Sequence, residues 1–264
     1  MNILLVADLH YALRQLDWLL EVAPDFDAVF IAGDLIDSHG TVPREVQVVV
    51  LIDYLRQLAK RTRVLVCSGN HDLIERNGYG EREARWLADT RGLGIATDGD
   101  TAELATGVLV SVLPWWDGPA AREDIERQLK SDAGRRQDRW FWLYHAPPAD
   151  TAVAWAGKRT YGDGYLADWI ETHRPDIVVC GHVHQAPFVP AGSWVDRIED
   201  TWVFNMGQQP GASPCHIVLN LDAEEAAWFS FEGREHLHFG GDATVPTPLD
   251  GLPGWLTNAG RSRP

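Results

Sequence analysis

Thiolate chemistry is nearly closed to this chain of 264 residues. Its three cysteines, Cys67, Cys180 and Cys215, are an odd number, lie far apart and form no CxxC pair. Such spacing builds neither a disulfide framework nor a thiolate zinc site, and the compartment expected from it is the reducing cytoplasm. Positive charge is also short: 23 Lys and Arg stand against 38 Asp and Glu, a formal net charge of −15. A field of that sign repels a phosphate backbone, so long nucleic acid is disfavoured as a partner unless bound cations reverse it locally. Long hydrophobic runs are missing as well. The first apolar stretch, Ile3 to Ala7, is broken by Asp8, far short of a signal-peptide core or a membrane span, so no membrane partner is expected.

What is present is ordinary in bulk, with 45% hydrophobic and 23% charged residues, as in soluble globular proteins. Ile3 to Ala7 reads as a buried strand followed at once by Asp8 and His10, and Leu13, Leu16, Leu19 and Leu20 then recur at helical spacing until Pro24. Ala28 to Ala32 is a second strand, ending at Gly33-Asp34. A helix from about Pro43 to Lys60 leads to a third, Val64 to Cys67, ending at Ser68-Gly69-Asn70-His71-Asp72. Strand, polar loop and helix in rotation predict a parallel sheet flanked by helices. The polar clusters follow the strands, where the binding crevice of such sheets lies. Further along, Glu81 to Thr90 reads as a short helix, Ala102 to Leu104 and Val108 to Leu113 as strands, and Ala120 to about Gln137 as a surface helix. Trp140 to Tyr144 is a strand leading to His145, Gly164 to His173 a helix, and Ile177 to Cys180 a strand leading to Gly181-His182-Val183-His184. Thr201 to Asn205, His216 to Leu221 and Ala227 to Glu232 read as antiparallel strands. The expected fold is a single α/β domain over residues 1–239, a two-sheet β-sandwich with helices on its outer faces, and residues 240–264 form an irregular Gly/Pro-rich extension.

Five clusters therefore stand at strand ends: Asp-x-His, Gly-Asp-x-x-Asp, Gly-Asn-His-Asp, a lone His, and Gly-His-x-His. Their donors are carboxylate, imidazole and one carboxamide, a set that suits borderline first-row divalent ions better than calcium or a structural zinc. In order and spacing these clusters resemble the calcineurin-like metallophosphoesterase superfamily over Ile3 to His184.

That resemblance implies an αββα sandwich and a site with two divalent ions, manganese favoured among Mn, Fe, Zn, Co and Ni. Asp8, His10 and His184 match the ligands of one ion, and Asn70, His145 and His182 those of the other. Asp34 matches the carboxylate shared by both. His71 matches the residue beside the scissile phosphate, with general acid work expected of it, and Asp37 is the candidate to hold its tautomer. The implied reaction is hydrolysis of a small phosphomonoester or phosphodiester, nucleotides included, by a hydroxide lying between the ions. A nuclease acting on nucleic-acid ends and a non-catalytic metal- and phosphate-binding protein are the alternatives. Beyond the motifs, Trp115 and Trp116 either anchor a loop or wall the site for stacking. Asn205 ends a later strand that can return to the centre, and Cys180 is expected in the core rather than on a metal.

Overall fold

Strands that are apolar at every position, rather than alternately, are covered on both faces, and the central strands of this protein behave that way. In β1 (Asn2–Val6), Ile3 and Leu5 face one core while Leu4 and Val6 face another. The computed structural model describes residues 1–104, 107–241 and 245–257. After β1 the first half continues with α1 (Leu13–Val22), β2 (Ala28–Ala32), α2 (Arg44–Ala59), β3 (Arg63–Cys67), β4 (Glu75–Arg76), β5 (Arg82–Glu83), α3 (Arg85–Ala88), β6 (Thr101–Leu104), β7 (Val108–Val112) and α4 (Pro119–Ala133). The second half adds β8 (Arg139–Leu143), α5 (Gly164–His173), β9 (Ile177–Cys180), β10 (Val195–Ile198), β11 (Thr201–Asn205), β12 (His216–Asn220), β13 (Glu225–Phe229), β14 (Arg234–His238), β15 (Thr247–Pro248) and α6 (Gly254–Thr257).

Two sheets stack face to face. One has the order β15-β14-β13-β12-β1-β2-β3 and the other β10-β11-β9-β8-β7-β6. Between them lies a core that includes Phe30, Leu65, Val110, Phe141, Val179 and Phe204. On the far side of the first sheet α1 and α2 deliver Leu16, Leu19, Leu51, Leu55 and Leu58 to a second core. On the far side of the second sheet, Ile125 and Leu129 of α4 and Leu166, Trp169 and Ile170 of α5 pack on Trp140 and Trp142. Helices thus cover both outer faces, as the sequence predicts.

Several expectations change. β11 runs parallel to β9, while β10 and β12 to β15 pair antiparallel, so the C-terminal part is not uniformly antiparallel. β10 and β14 have no counterpart in the sequence pattern. Over 81–90 the chain first forms a ribbon, β5 against β4, and only then the single turn of α3. Within 240–264, β15 pairs with β14, and Trp255 of α6 joins the helical core and donates its indole N–H to the Glu225 carboxylate. That segment is therefore partly built into the sheet, although 242–244 and 258–264 lie outside the described residues. No helix among the described residues is long and apolar enough to cross a membrane.

At the start of β12, the His216 ring stacks on Phe229 at 5.0 Å and packs on Trp18 at 4.7 Å, with Nδ1 3.0 Å from the Pro214 carbonyl. Burial pushes this imidazole down to about 4. As pH falls through the ordinary histidine value of about 6.5, the unfolded chain takes up a proton that the folded chain refuses until about 4. Stability present above that window should therefore decline across it by on the order of 1–3 kcal/mol. Urea midpoints of wild type and His216→Phe at pH 7 and pH 5 check this: the variant should lose less between the two.

Candidate metal centre

The strands β1, β2 and β3 run parallel in one sheet, and β7, β8 and β9 run parallel in the other. The loops at their carboxyl ends meet at one rim of the sandwich. Backbone bonds lace the first two loops together: Asp8 N–H donates to the Gly33 carbonyl, His10 N–H to that of Asp34, and Tyr11 N–H to that of Leu35. A residue outside the predicted site fixes the third. Asp72, fully buried, accepts four backbone N–H groups: those of Asp34 and Gly69 at 2.8 Å on Oδ2, and those of Leu35 and Ile36 at 3.0 Å on Oδ1. Burial and the neighbouring Asp34 carboxylate push its carboxyl up to about 7, with the N–H groups of Gly69 and Ile36 pulling the other way, toward the carboxylate. Two motif glycines are set by close approach. A Cβ on Gly69 would lie 2.2 Å from Asp34 Oδ1, and one on Gly181 would lie 2.5 Å from Asp8 Oδ2.

The local backbone is bent to aim side chains inward. Asp8, His10, Asp34 and His182 all have φ between +40° and +66°, a left-handed conformation that costs a non-glycine residue about 1–2 kcal/mol. His145 Nδ1 lies 2.6 Å from the Ala32 carbonyl and His10 Nδ1 lies 3.2 Å from that of Ile36. Donation from each Nδ1 turns the Nε2 lone pair of each ring to the centre. His145 Nε2 comes within 3.1 Å of Asp34 Oδ2, and His184 Nε2 within 3.1 Å of Asp8 Oδ1 and 3.2 Å of His10 Nε2. His10 Nε2 is 3.8 Å from both carboxylates.

These contacts gather donors in two groups able to hold a metal ion, Asp8 with His10 and His184, and Asp34 with His145 and His182; a third joins His10, Asp34 and His71. The donors fit divalent cations. His145 Nε2 and Asn70 Oδ1 are buried with no hydrogen-bond partner, although buried polar atoms are nearly always satisfied. A cation supplies what those lone pairs lack. Charge points the same way: burial opposes the imidazolium of His145, but the Asp34 carboxylate overrides it and holds the ring up to about 9. Burial and the neighbouring His145 push His182 down to about 4. The site already favours a positive charge beside Asp34.

Residues 1–186 match the family model described as calcineurin-like phosphoesterase. The chain belongs to that family. Members depend on divalent metals, and this calcineurin-like phosphoesterase is a hydrolase acting on phosphoric ester bonds. The fold is shared with the TT1561 protein of Thermus thermophilus, at TM-score 0.59 and 16% identity over 90% of this chain and 98% of that one. It is shared too with the purple acid phosphatase PPD1 from yellow lupin (Lupinus luteus) seeds, at TM-score 0.54 and 14% identity over 93% of this chain and 52% of that one. No match was found among curated protein sequences.

Around the ligand groups of this phosphoesterase, one expectation needs correcting. Asp37 does not hold His71: its Oδ1 accepts the N–H of His39 at 2.9 Å, and the atom against His71 Nδ1 is Ser38 Oγ at 2.5 Å. The short turn made by Asp37 and His39 points the carboxylate along its own loop. His71 itself is placed beside the centre, its N–H donating to Asp34 Oδ1 at 2.9 Å and its Nε2 3.9 Å from Asp34 Oδ2. Burial pushes its imidazole down, with Asp34 pulling the other way. Asn205 returns behind the histidine loop, its amide donating to the Val183 and Val153 carbonyls at 3.1 and 2.9 Å. Gln208 N–H reaches the His184 carbonyl at 3.2 Å. Cys180 is fully buried, with Sγ 3.2 Å from the Phe204 carbonyl. Trp115 proves to be a wall of the site, its ring 5.1 Å from that of His182 and 5.6 Å from that of His145.

Proposed function

We propose that this phosphoesterase hydrolyses small phosphomonoesters or phosphodiesters at a dinuclear centre. Asp8, His10 and His184 would hold one divalent ion and Asn70, His145 and His182 the other, with Asp34 shared. The observation that carries this reading is the convergence of both carboxylates with the Nε2 atoms of His10, His145 and His184, and the two unpartnered lone pairs of His145 and Asn70 among them. When bound, such ions supply a water nucleophile at neutral pH and neutralise phosphoryl charge. A nitrogen- and oxygen-only donor set suits first-row divalent ions, manganese among them.

The chain's own residues do the rest. Lys158 and Arg159 line the opening beside His182 and His184, so a phosphate meets local positive charge despite the acidic surface. His71, steadied at Nδ1 by Ser38, keeps Nε2 for the proton that the departing alkoxide needs.

Chelator should abolish activity and manganese restore it. His71→Ala should retain both ions by elemental analysis and lose roughly 10²–10⁴-fold in turnover on alkyl esters, but far less on esters with acidic leaving groups. An equal loss for both ester types would remove His71 from the acid role.

A further inference from the structure

Next to the centre a cleft of about 670 Å³ opens between the Pro114–Pro119 loop and the N-terminal end of α5, and its walls are aromatic: Trp115, Trp116, Tyr161 and Tyr165. Tyr161 and Tyr165 are 43% and 41% exposed where they line the cleft. The cleft is continuous with the catalytic rim in two places. Trp115 packs on the rings of His145 and His182, and Tyr161 also lines the opening that holds His182 and His184.

The rings are held in place. Asp163 caps α5 by accepting the N–H of Tyr165 on Oδ1, and on Oδ2 it accepts the Trp116 indole N–H and the Tyr144 hydroxyl, both at 2.8 Å. Its carboxylate is thereby fully engaged and positions the walls rather than meeting a ligand. The Arg122 guanidinium lies 4.2 Å from the centroid of Tyr165 and braces that ring. Asp168, one turn along α5, is exposed at the cleft and its carboxylate has no partner among the described residues.

We propose that this cleft receives the leaving group of the substrate, and that the leaving group is a nucleoside, its base stacked on the aromatic walls and a hydroxyl or exocyclic amine donating to Asp168. This rests on the phosphoesterase reading above and narrows its substrate class. The volume lies within the range of small-molecule sites and exceeds what a single phenyl ring fills. Aromatic walls suit a flat π-system without selecting one base. A free carboxylate at the rim offers an acceptor to the hydroxyl and amine donors of such a group. Lys158 and Arg159 lie at the other opening, beside His184, where the phosphoryl oxygens belong.

Two measurements on the manganese-loaded protein decide it. In calorimetric titrations adenosine, which cannot be hydrolysed, should bind roughly tenfold or more tightly than ribose. That preference should collapse in Tyr165→Ala, which leaves the Asp163 bonds in place, and in Trp116→Ala. In kinetics, kcat/KM for adenosine 5′-phosphate over ribose 5-phosphate, and for their methyl diesters, should favour the nucleoside by a similar factor, carried by KM, and the ratio should approach unity in Tyr165→Ala. Equal binding of adenosine and ribose, or a preference that survives both variants, overturns the proposal. If none of the four esters is hydrolysed, the phosphoesterase reading fails for this class of ester while the adenosine titration still decides the cleft.

Discussion

Asp34→Asn is expected to leave the fold intact and the metal centre disabled. Asp34 is buried at the meeting point of the loops, with Oδ1 accepting the His71 N–H at 2.9 Å and Oδ2 facing His145 Nε2 at 3.1 Å. An asparagine can keep the first contact through its carbonyl oxygen. Its amide would then donate to Nε2 of a neutral His145, a neutral hydrogen bond in place of the carboxylate contact at 3.1 Å. The structure thus loses little, but one negative charge and one oxygen donor vanish from the centre. Loss of an outer partner of a metal ligand lowers affinity by about 10–100-fold, and removing the central carboxylate should exceed that. Titration with Mn²⁺ should show the loss directly, with a thermal midpoint close to wild type. Retained stoichiometric binding of two ions would place the shared carboxylate elsewhere.

Asp72→Asn should do the opposite, striking the fold first. The native carboxylate serves two N–H donors on each oxygen, from the loops after β2 and β3. An amide at this place presents an NH₂ to one of those pairs, so two backbone N–H groups and the new amide lose their acceptors in a fully buried position. Each unsatisfied buried group costs about 1–3 kcal/mol, giving a loss of roughly 3–9 kcal/mol against a typical total of about 5–15. Urea denaturation should show a large drop in midpoint, with metal affinity falling because Asp34 and Asn70 are no longer fixed. A midpoint within about 1 kcal/mol of wild type would mean that the loops are held by other contacts.

These two carboxylates also show where the sequence is legible. Asp34 follows β2, an apolar run bounded by Gly33, so its place at a strand end can be read from local pattern alone. The same holds for Asp8, His145 and His182, because strands buried on both faces leave uninterrupted apolar runs. Asp72 sits in the same motif as His71, but its task depends on four N–H groups up to 38 residues away, which no local pattern reveals. The Ser38 and Asp37 positions around His71 turn on loop dihedrals, and two neighbouring polar residues in a turn read alike. Strands β10 and β14 carry Asp196, Arg197, Arg234 and Glu235, since edge-side strands meet water and lose the apolar signal. The direction of β11 depends on how the chain crosses back after the histidine loop, which sequence periodicity does not encode. The 81–90 stretch has Ala84, Trp86 and Leu87 at near-helical spacing, yet the Asn77–Gly80 turn claims its first residues for the ribbon.

The left-handed backbone at Asp8, His10, Asp34 and His182 bears on any attempt to make this protein hardier. Glycine would relax each of those positions, and each is a proposed ligand, so the gain in robustness would come out of the chemistry. Ala191, Glu199 and Glu224 have φ of 67°, 50° and 54° away from the centre. They offer relief of the same kind with no ligand lost. A thermostabilising library should therefore be concentrated on those turns and kept off the catalytic rim.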